Sequence, residues 1–426
     1  MTSTAPTPSE PHREAPAGRE PGRKPALFVL LYAVALIGAW IAIMAPPTVS
    51  LALRVAEIDP AGKVASLSLV AGVGALFAII GNPLFGKLSD RTTSRFGMRR
   101  PWMIAGMLAG GLGLLLIAVA DNIALVMVGW CVAQLMFNAL LAATYGVLPD
   151  QFPVSQRGTV SGIMGMCLPL GTMAATWIVQ LTPGSTFWML MLPVLVGAAL
   201  MVPFLIALKD RRLSPAGRPP YSVREFATSF WVNPRRHRDY SWAWLSRFLL
   251  WMAVATFQTY MAYYLSDHLG IAENEVANKV FIANLVNNIA LMAVIVPSGW
   301  LSDRVGRRKP FVLAGAVAMA AGMGLLVTTS SWAPFLIGCA LTGVGMGVYF
   351  SVDIAIISEV LPNPDDAAKD LGVMNIACTL PYSVVPAIAP LFLALGGAGD
   401  NYPALFVVGA VLGLLGIPAI RRISKR

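Results

Sequence analysis

The sequence predicts an all-α membrane protein with twelve transmembrane helices in two six-helix repeats, and three observations carry that prediction. Hydrophobic residues make up 57% of the 426 and charged residues 12%, and the mean hydropathy is +0.69. A chain of that composition has lipid as its solvent for most of its length. Apolar runs of about 20 residues, enough to cross a bilayer as a helix, recur between short polar breaks. Positive charge gathers in alternate breaks: of the 31 Lys and Arg, only Arg54, Lys63 and Lys279 fall toward the outside and only Arg247 falls within a span. This is the positive-inside pattern. It places both termini in the cytoplasm of a multi-pass inner (plasma) membrane protein and accounts for the formal charge of +10 without nucleic acid.

In chain order, residues 1–25 read as a disordered cytoplasmic tail rich in Pro, Glu and Arg. The first apolar run, 26–53, is too long for a signal-peptide core and is kept as helix one. Further spans fall at 64–86, 101–120, 123–148, 158–182 and 186–208, which complete an N-terminal bundle, 26–208. The loop 209–240 is polar, basic and broken by Pro215, Pro219, Pro220 and Pro234. Spans at 241–267, 276–300, 310–328, 332–359, 370–395 and 402–420 form the C-terminal bundle, 241–420, before a cytoplasmic tail, 421–426. Cys131, Cys167, Cys339 and Cys378 all lie within spans, where a small soft side chain packs well, so neither a disulfide nor a metal site is expected.

The bundles are related. Gly86, Leu88, Ser89, Asp90 and Arg91 recur as Gly299, Leu301, Ser302, Asp303 and Arg304, and Pro101 with Ala105-Gly106 returns as Pro310 with Ala314-Gly315. Leu148-Pro149 recurs as Leu361-Pro362, and Arg157 with Pro169 matches Lys369 with Pro381. In transporters built from such parallel repeats the halves rock about a midplane substrate site.

The loop after span two runs Gly86-Lys-Leu-Ser-Asp90-Arg91-Thr-Thr-Ser-Arg95-Phe-Gly97-Met-Arg99-Arg100-Pro101. It joins a helix-ending glycine, a carboxylate, closely spaced arginines and a helix-starting proline. An Asp beside Arg groups on a tight loop can latch opposite helix ends in one conformation and release them in another. The loop and its second copy, Ser302-Asp303-Arg304-Val-Gly306-Arg307-Arg308-Lys309-Pro310, resemble the signature of the major facilitator superfamily, and the resemblance extends over all twelve spans. The longer first copy looks like the glycoside and sucrose cation symporters. The resemblance implies a gating role for Gly86, Asp90, Arg91, Arg95, Asp303 and Arg304. That branch commonly carries acidic cation ligands in its second and fourth helices. Here span two has no acid and span four has only Asp150 at its inner end. Span five lacks the glycine-rich spacing expected of drug antiporters, offering Gly158, Gly162, Gly165, Pro169 and Gly171 instead.

Charged groups inside lipid are costly and are functional candidates by default. Arg247 in span seven and Asp353 in span ten lie at matching depths, roughly 9–12 Å from the inner helix ends at about 1.5 Å per residue. An ion pair between them that opens on protonation or substrate binding is the candidate coupling element. Candidate substrate contacts are Trp40; Gln134, Asn138 and Tyr145 on one face of span four; Gln258 and Tyr260; Asn284, Asn287 and Asn288 on span eight; Tyr349; and Asn375, Thr379 and Tyr382 on span eleven. Ser383 follows the same side of span eleven. Neutral hydrogen-bonding groups with aromatic faces suit a sugar or glycoside; interhelical polar bonding accounts equally for any single Asn. Asp150 and Glu359, at repeat-related inner helix ends, read as capping and latching groups.

No phosphate loop or catalytic constellation is present, and His12, His237 and His268 fall in tails or loops. The expectation is therefore a secondary transporter, not an enzyme, with no cofactor and no metal, its partners a small-molecule substrate, a proton and the bilayer. It is expected to symport a sugar or glycoside with protons and to function as a monomer. Proton-antiport export of a drug or secondary metabolite is the alternative, and a transporter-like sensor or lipid scramblase is a third class.

Overall fold

The computed structural model describes residues 22–213, 234–360, 367–395 and 401–423, where every regular element is helical. The first 21 residues, most of the central loop, the Leu361-Pro362 copy and residues 424–426 lie outside the described residues. The elements are α1 (Ala26–Ile58), α2 (Lys63–Asp90), α3 (Arg100–Val119), α4 (Ile123–Gln151), α5 (Val154–Gln180), α6 (Thr186–Ala207), α7 (Arg238–Tyr263), α8 (Glu273–Val305), α9 (Lys309–Thr328), α10 (Trp332–Val360), α11 in two segments (Ala367–Thr379 and Pro381–Leu393), and α12 (Tyr402–Arg421). Eleven of these are long and apolar enough to cross a membrane; α7 is long enough but carries more polar side chains, Arg247 and Gln258 among them.

Local chemistry explains the irregular points. Pro46 and Pro47 have no N–H to give, and α1 passes them through a π turn over Pro46–Ser50. The Thr48 hydroxyl donates to the carbonyls of Met44 and Ala45, and Ser50 donates to Ala45 at 3.2 Å, so the loosened ladder stays satisfied. Pro381 breaks α11 for the same reason. Gly86, read from sequence as ending a helix, is instead inside α2, which continues to Asp90. A Cβ at Gly86 would meet open space, and the chain leaves the helix only after Arg91. Pro101 and Pro310 do open α3 and α9.

Helix pairing repeats between the halves. In the first, α1 packs on α5 and α6, and α4 on α2 and α3; in the second, α7 packs on α11 and α12, and α10 on α8 and α9. Glycine notches bring helices into close contact, and one such pair recurs between the halves at a constant shift. A Cβ on Gly113 would come within 2.6 Å of the Gly129 carbonyl on α4, and one on Gly322 within 2.8 Å of the Gly338 carbonyl on α10. Lipid supplies no hydrophobic force between helices, so such close backbone contact holds the bundle together.

The main crossings between the halves are α2 on the second segment of α11 and α5 on α8, with α1 also meeting α7. The described hydrogen bonds between halves gather at the end remote from the arginine-rich loop, here the far end as opposed to the basic end. There Lys63 Nζ pairs with Asp267 at 2.7 Å, the Tyr263 hydroxyl donates to the Ala52 carbonyl at 2.8 Å, and Ser68 Oγ and the Tyr260 hydroxyl share a 2.7 Å bond. Toward the basic end, Gly162 and Gly165 on α5, like Gly86, face open space. The molecule is tied at its far end.

Candidate functional site

α7, α10 and α11 bring four polar side chains together inside the second half. Arg247 Nη1 lies 3.1 Å from Asp353 Oδ2, with both side chains largely buried. The Tyr349 hydroxyl, one helical turn from Asp353, donates to its Oδ1 at 2.7 Å. Arg247 Nε contacts the Cys378 Sγ at 2.7 Å. Cys378 was expected only to pack; it is a partner of the arginine. Helix rotation decides this, and no residue spacing within α11 announces it.

One turn further from the basic end stands an aromatic group. Trp251 on α7 approaches Phe350 on α10 (ring centroids 5.7 Å) and Tyr382 on α11 (6.4 Å). The Tyr382 hydroxyl donates to Gln258 Oε1 at 2.7 Å. The buried Trp251 Nε1 has no hydrogen-bond partner. Trp251 and Phe350 were not singled out from sequence. The available signal was their position, three or four residues outward from Arg247 and Asp353.

Other candidates occupy different surroundings. Asn287 Nδ2 bridges α8 to α10 through the Cys339 carbonyl (3.0 Å) and Thr342 Oγ1 (3.1 Å). Asn284 and Asn288 donate back to the carbonyls of Val280 and Asn284 on their own helix. Tyr260 belongs to the far-end contact with Ser68. Asn375 is exposed, and Thr379 leans weakly on its carbonyl at 3.4 Å. In the first half, Asn138 donates to the Gln134 carbonyl at 2.8 Å, and both side chains are half-buried. Tyr145 is 37% exposed, and its hydroxyl faces the indole of Trp40.

At the basic end of the first half, one buried arginine of the arginine-rich loop, Arg99, gathers the neighbouring polar groups. Arg99 is bound by Asp90 (Nη2 to Oδ1, 2.5 Å), Asp150 (Nε to Oδ2, 2.8 Å) and Ser89 Oγ (2.5 Å). Gly146 leaves the room: a Cβ there would come within 2.6 Å of the guanidinium carbon. Burial opposes the charge of Arg99, but the two carboxylates outweigh it and raise the pKa, so the group stays cationic. Its backbone N–H, with that of Arg100, donates to Asp210, which caps α3 from the segment that follows α6. Arg95 is exposed over the Phe96 ring (4.8 Å), and Arg304 lies over Trp300 (5.3 Å). Arg91 ends α2, and the Asp303 side chain lies outside the described residues. Among the described residues no three His, Cys, Asp or Glu side chains converge as a metal site.

A family model described as Major Facilitator Superfamily matches residues 28–294 and 243–425. Multidrug resistance protein MdtL of Shewanella sp. (strain ANA-3) is 31% identical over 156 residues, 35% of this chain and 36% of that protein. Plastidic glucose transporter 4 of Arabidopsis thaliana is 32% identical over 112 residues, 26% of this chain and 20% of its own length. The matches thus span about a third or less of these relatives. The crystal structure of the nucleoside transporter NupG superposes with a TM-score of 0.69 at 14% identity, covering 94% of this chain and 99% of that one. That likeness is one of fold.

Proposed function

We propose, from the premise that this chain belongs to the Major Facilitator Superfamily, that it is a proton-coupled secondary transporter of a small organic solute. The protein is a transporter, not an enzyme. One observation carries the coupling: a buried Arg247–Asp353 pair, braced by Tyr349, inside a span-forming bundle. Arginine keeps its charge at any physiological pH, whereas a carboxylate can take a proton, so protonation of Asp353 is the event that opens the pair. Breaking one side of a buried pair without compensation costs several kcal/mol, enough to bias two conformations of the bundle.

In this reading the basic end faces the cytoplasm of an inner (plasma) membrane with both termini inside, by the positive-inside rule. The far-end contacts then make the described state inward-facing, and the Arg99 cluster holds the first half's gate loop. A single chain contains a complete path and works as a monomer.

Uptake in symport with protons is the first reading of direction. A sugar or glycoside as cargo has the arginine-rich loop and the glucose-transporter match behind it. Proton-antiport export of a drug or metabolite is the second reading, favoured by the match to a multidrug resistance protein.

The test is the external pH of de-energised cells expressing the protein as sugars, glycosides, amines and carboxylates are added in turn, with Asp353→Asn cells as control. Alkalinisation that the substitution abolishes supports symport through Asp353. Acidification that it abolishes supports antiport. Solute-dependent pH change identical in the Asp353→Asn cells refutes coupling at this residue.

A further inference from the structure

The geometry points to an amphipathic organic anion, a planar apolar body bearing one carboxylate, as the solute of this site, bound together with one proton. This inference rests on the coupling role proposed above for Asp353 and replaces the sugar or glycoside of the first reading with another class of cargo. It begins from a two-tier arrangement. Three helices each supply one polar side chain and, three or four residues further from the basic end, one aromatic ring: Arg247 then Trp251 on α7, Asp353 then Phe350 on α10, Cys378 then Tyr382 on α11. At about 1.5 Å per residue the tiers are about 5–6 Å apart. That is the spacing of a ring from a carboxylate one or two carbons away.

Charge decides between an anion and a neutral solute. With Asp353 ionised, the pair with Arg247 is neutral and needs no third partner. With Asp353 protonated, the guanidinium is left as a lone buried cation, which a bilayer interior penalises heavily. A neutral sugar would leave that cation uncompensated. A carboxylate restores neutrality and can take two parallel bonds from the guanidinium fork, of which Nη1 and Nε are now given to Asp353 and Cys378. The unpartnered Trp251 N–H, on the same helix one turn away, is a further donor. Buried donors without partners are rare in native proteins, and a ligand oxygen is the missing acceptor. The mutually tilted rings of Phe350 and Tyr382 on either side of Trp251 would take the apolar body.

Few other groups bear on Asp353. Arg247 faces it from α7, Cys378 from α11 and Tyr349 from its own helix. Of the other helices packed on α10, α8 carries Arg304 over Trp300 and α9 carries Lys309 bonded to the Ile423 carbonyl, both at the basic end. Proton and anion therefore bind with mutually reinforcing affinity, and a monoanion crosses electroneutrally.

Calorimetric titration of the full-length detergent-purified protein with phenylacetate and 3-phenylpropionate, against their neutral amides, tests this. The acids are expected to bind at least about tenfold more tightly than the amides, and their affinity to fall about tenfold per pH unit once Asp353 ionises. Asp353→Asn, nearly isosteric, is expected to hold the acids independently of pH. Arg247→Gln alone leaves a lone carboxylate and invites unfolding. The double variant Arg247→Gln/Asp353→Asn carries no charge and is expected to lose the acids while its size-exclusion profile stays that of the folded protein. Equal binding of acids and amides, retention of the acids by the double variant, or no heat from either ligand up to about 10 mM overturns the proposal. If the acids fail here while Asp353→Asn still abolishes a solute-driven pH change in cells, the cargo class is wrong and the coupling stands. If the acids bind with the expected pH dependence and that pH change survives the substitution, the coupling falls instead.

Discussion

Replacing Arg99 with Met removes a buried cation from between two carboxylates, and the consequences differ arm by arm. The Arg99 side chain is 7% exposed and Asp150 17%, whereas Asp90 is 51% exposed. Stranding the partner of a buried pair costs about 3–5 kcal/mol, while an exposed arm is worth about 0–1 kcal/mol. Because water reaches part of Asp150, the lower figure applies, and Arg99→Met should lose about 3 kcal/mol. For a unit of 150–250 residues, roughly the size of one half, each kcal/mol shifts the melting point by about 2–4 °C, so a fall of about 6–12 °C is expected. Asp90→Asn should lower it by less than about 3 °C, the share of an exposed arm. Arg99→Met/Asp150→Asn leaves only the exposed Asp90 without its Arg99 partner and should recover more than half of the loss. Thermal unfolding followed by fluorescence-detected size exclusion measures all four proteins. A double variant as unstable as Arg99→Met, or an Asp90→Asn loss matching that of Asp150→Asn, would refute the reasoning.

Two further predictions concern the frame and the far end. A Cβ on Gly322 meets the Thr342 backbone nitrogen at 2.7 Å, so Gly322→Ala should destabilise by about 1–3 kcal/mol. Gly324 faces open space, and Gly324→Ala should be neutral or gain up to about 1 kcal/mol, both read by the same melting assay. Lys63 and Asp267 are each about a quarter exposed, so losing their pair should move the balance between far-end-closed and far-end-open states by no more than about fivefold. Fluorophore accessibility at a single cysteine placed on residue 68 would report it: Lys63→Asp and Asp267→Lys should each raise labelling, and the charge-swapped double should restore it.

What the sequence made legible follows from which quantities it encodes. Helix number, the repeat and the depth of Arg247 against Asp353 are axial facts, set by counting residues along a helix, and the structure brings that pair together at 3.1 Å. Azimuth is not encoded in the same way. Asn287 and Cys378 lie on helices whose rotation turns one into a neighbouring helix and the other onto Arg247. The arginine-rich loop was plain as a motif, but which arginine is buried depends on the space left by Gly146, distant from it in sequence. Gly86 resembled a helix end because glycine often stands there; the hydrogen-bonded turns through Ser89 and Asp90 carried the helix past it.

The glycine notches set the two halves in register, and the same constant shift that maps Gly129 onto Gly338 maps Leu140 onto Tyr349 and Thr144 onto Asp353. In the first half that pair of positions is inert. The Thr144 hydroxyl turns back to the Leu140 carbonyl, and its own carbonyl accepts from Tyr32. The two halves therefore share the frame but not the acid. On the coupling proposed for Asp353, two matched arms with one ionisable seat set a ceiling of one proton per cycle at that seat, and the opposite arm can remodel its lining for new cargo without disturbing it.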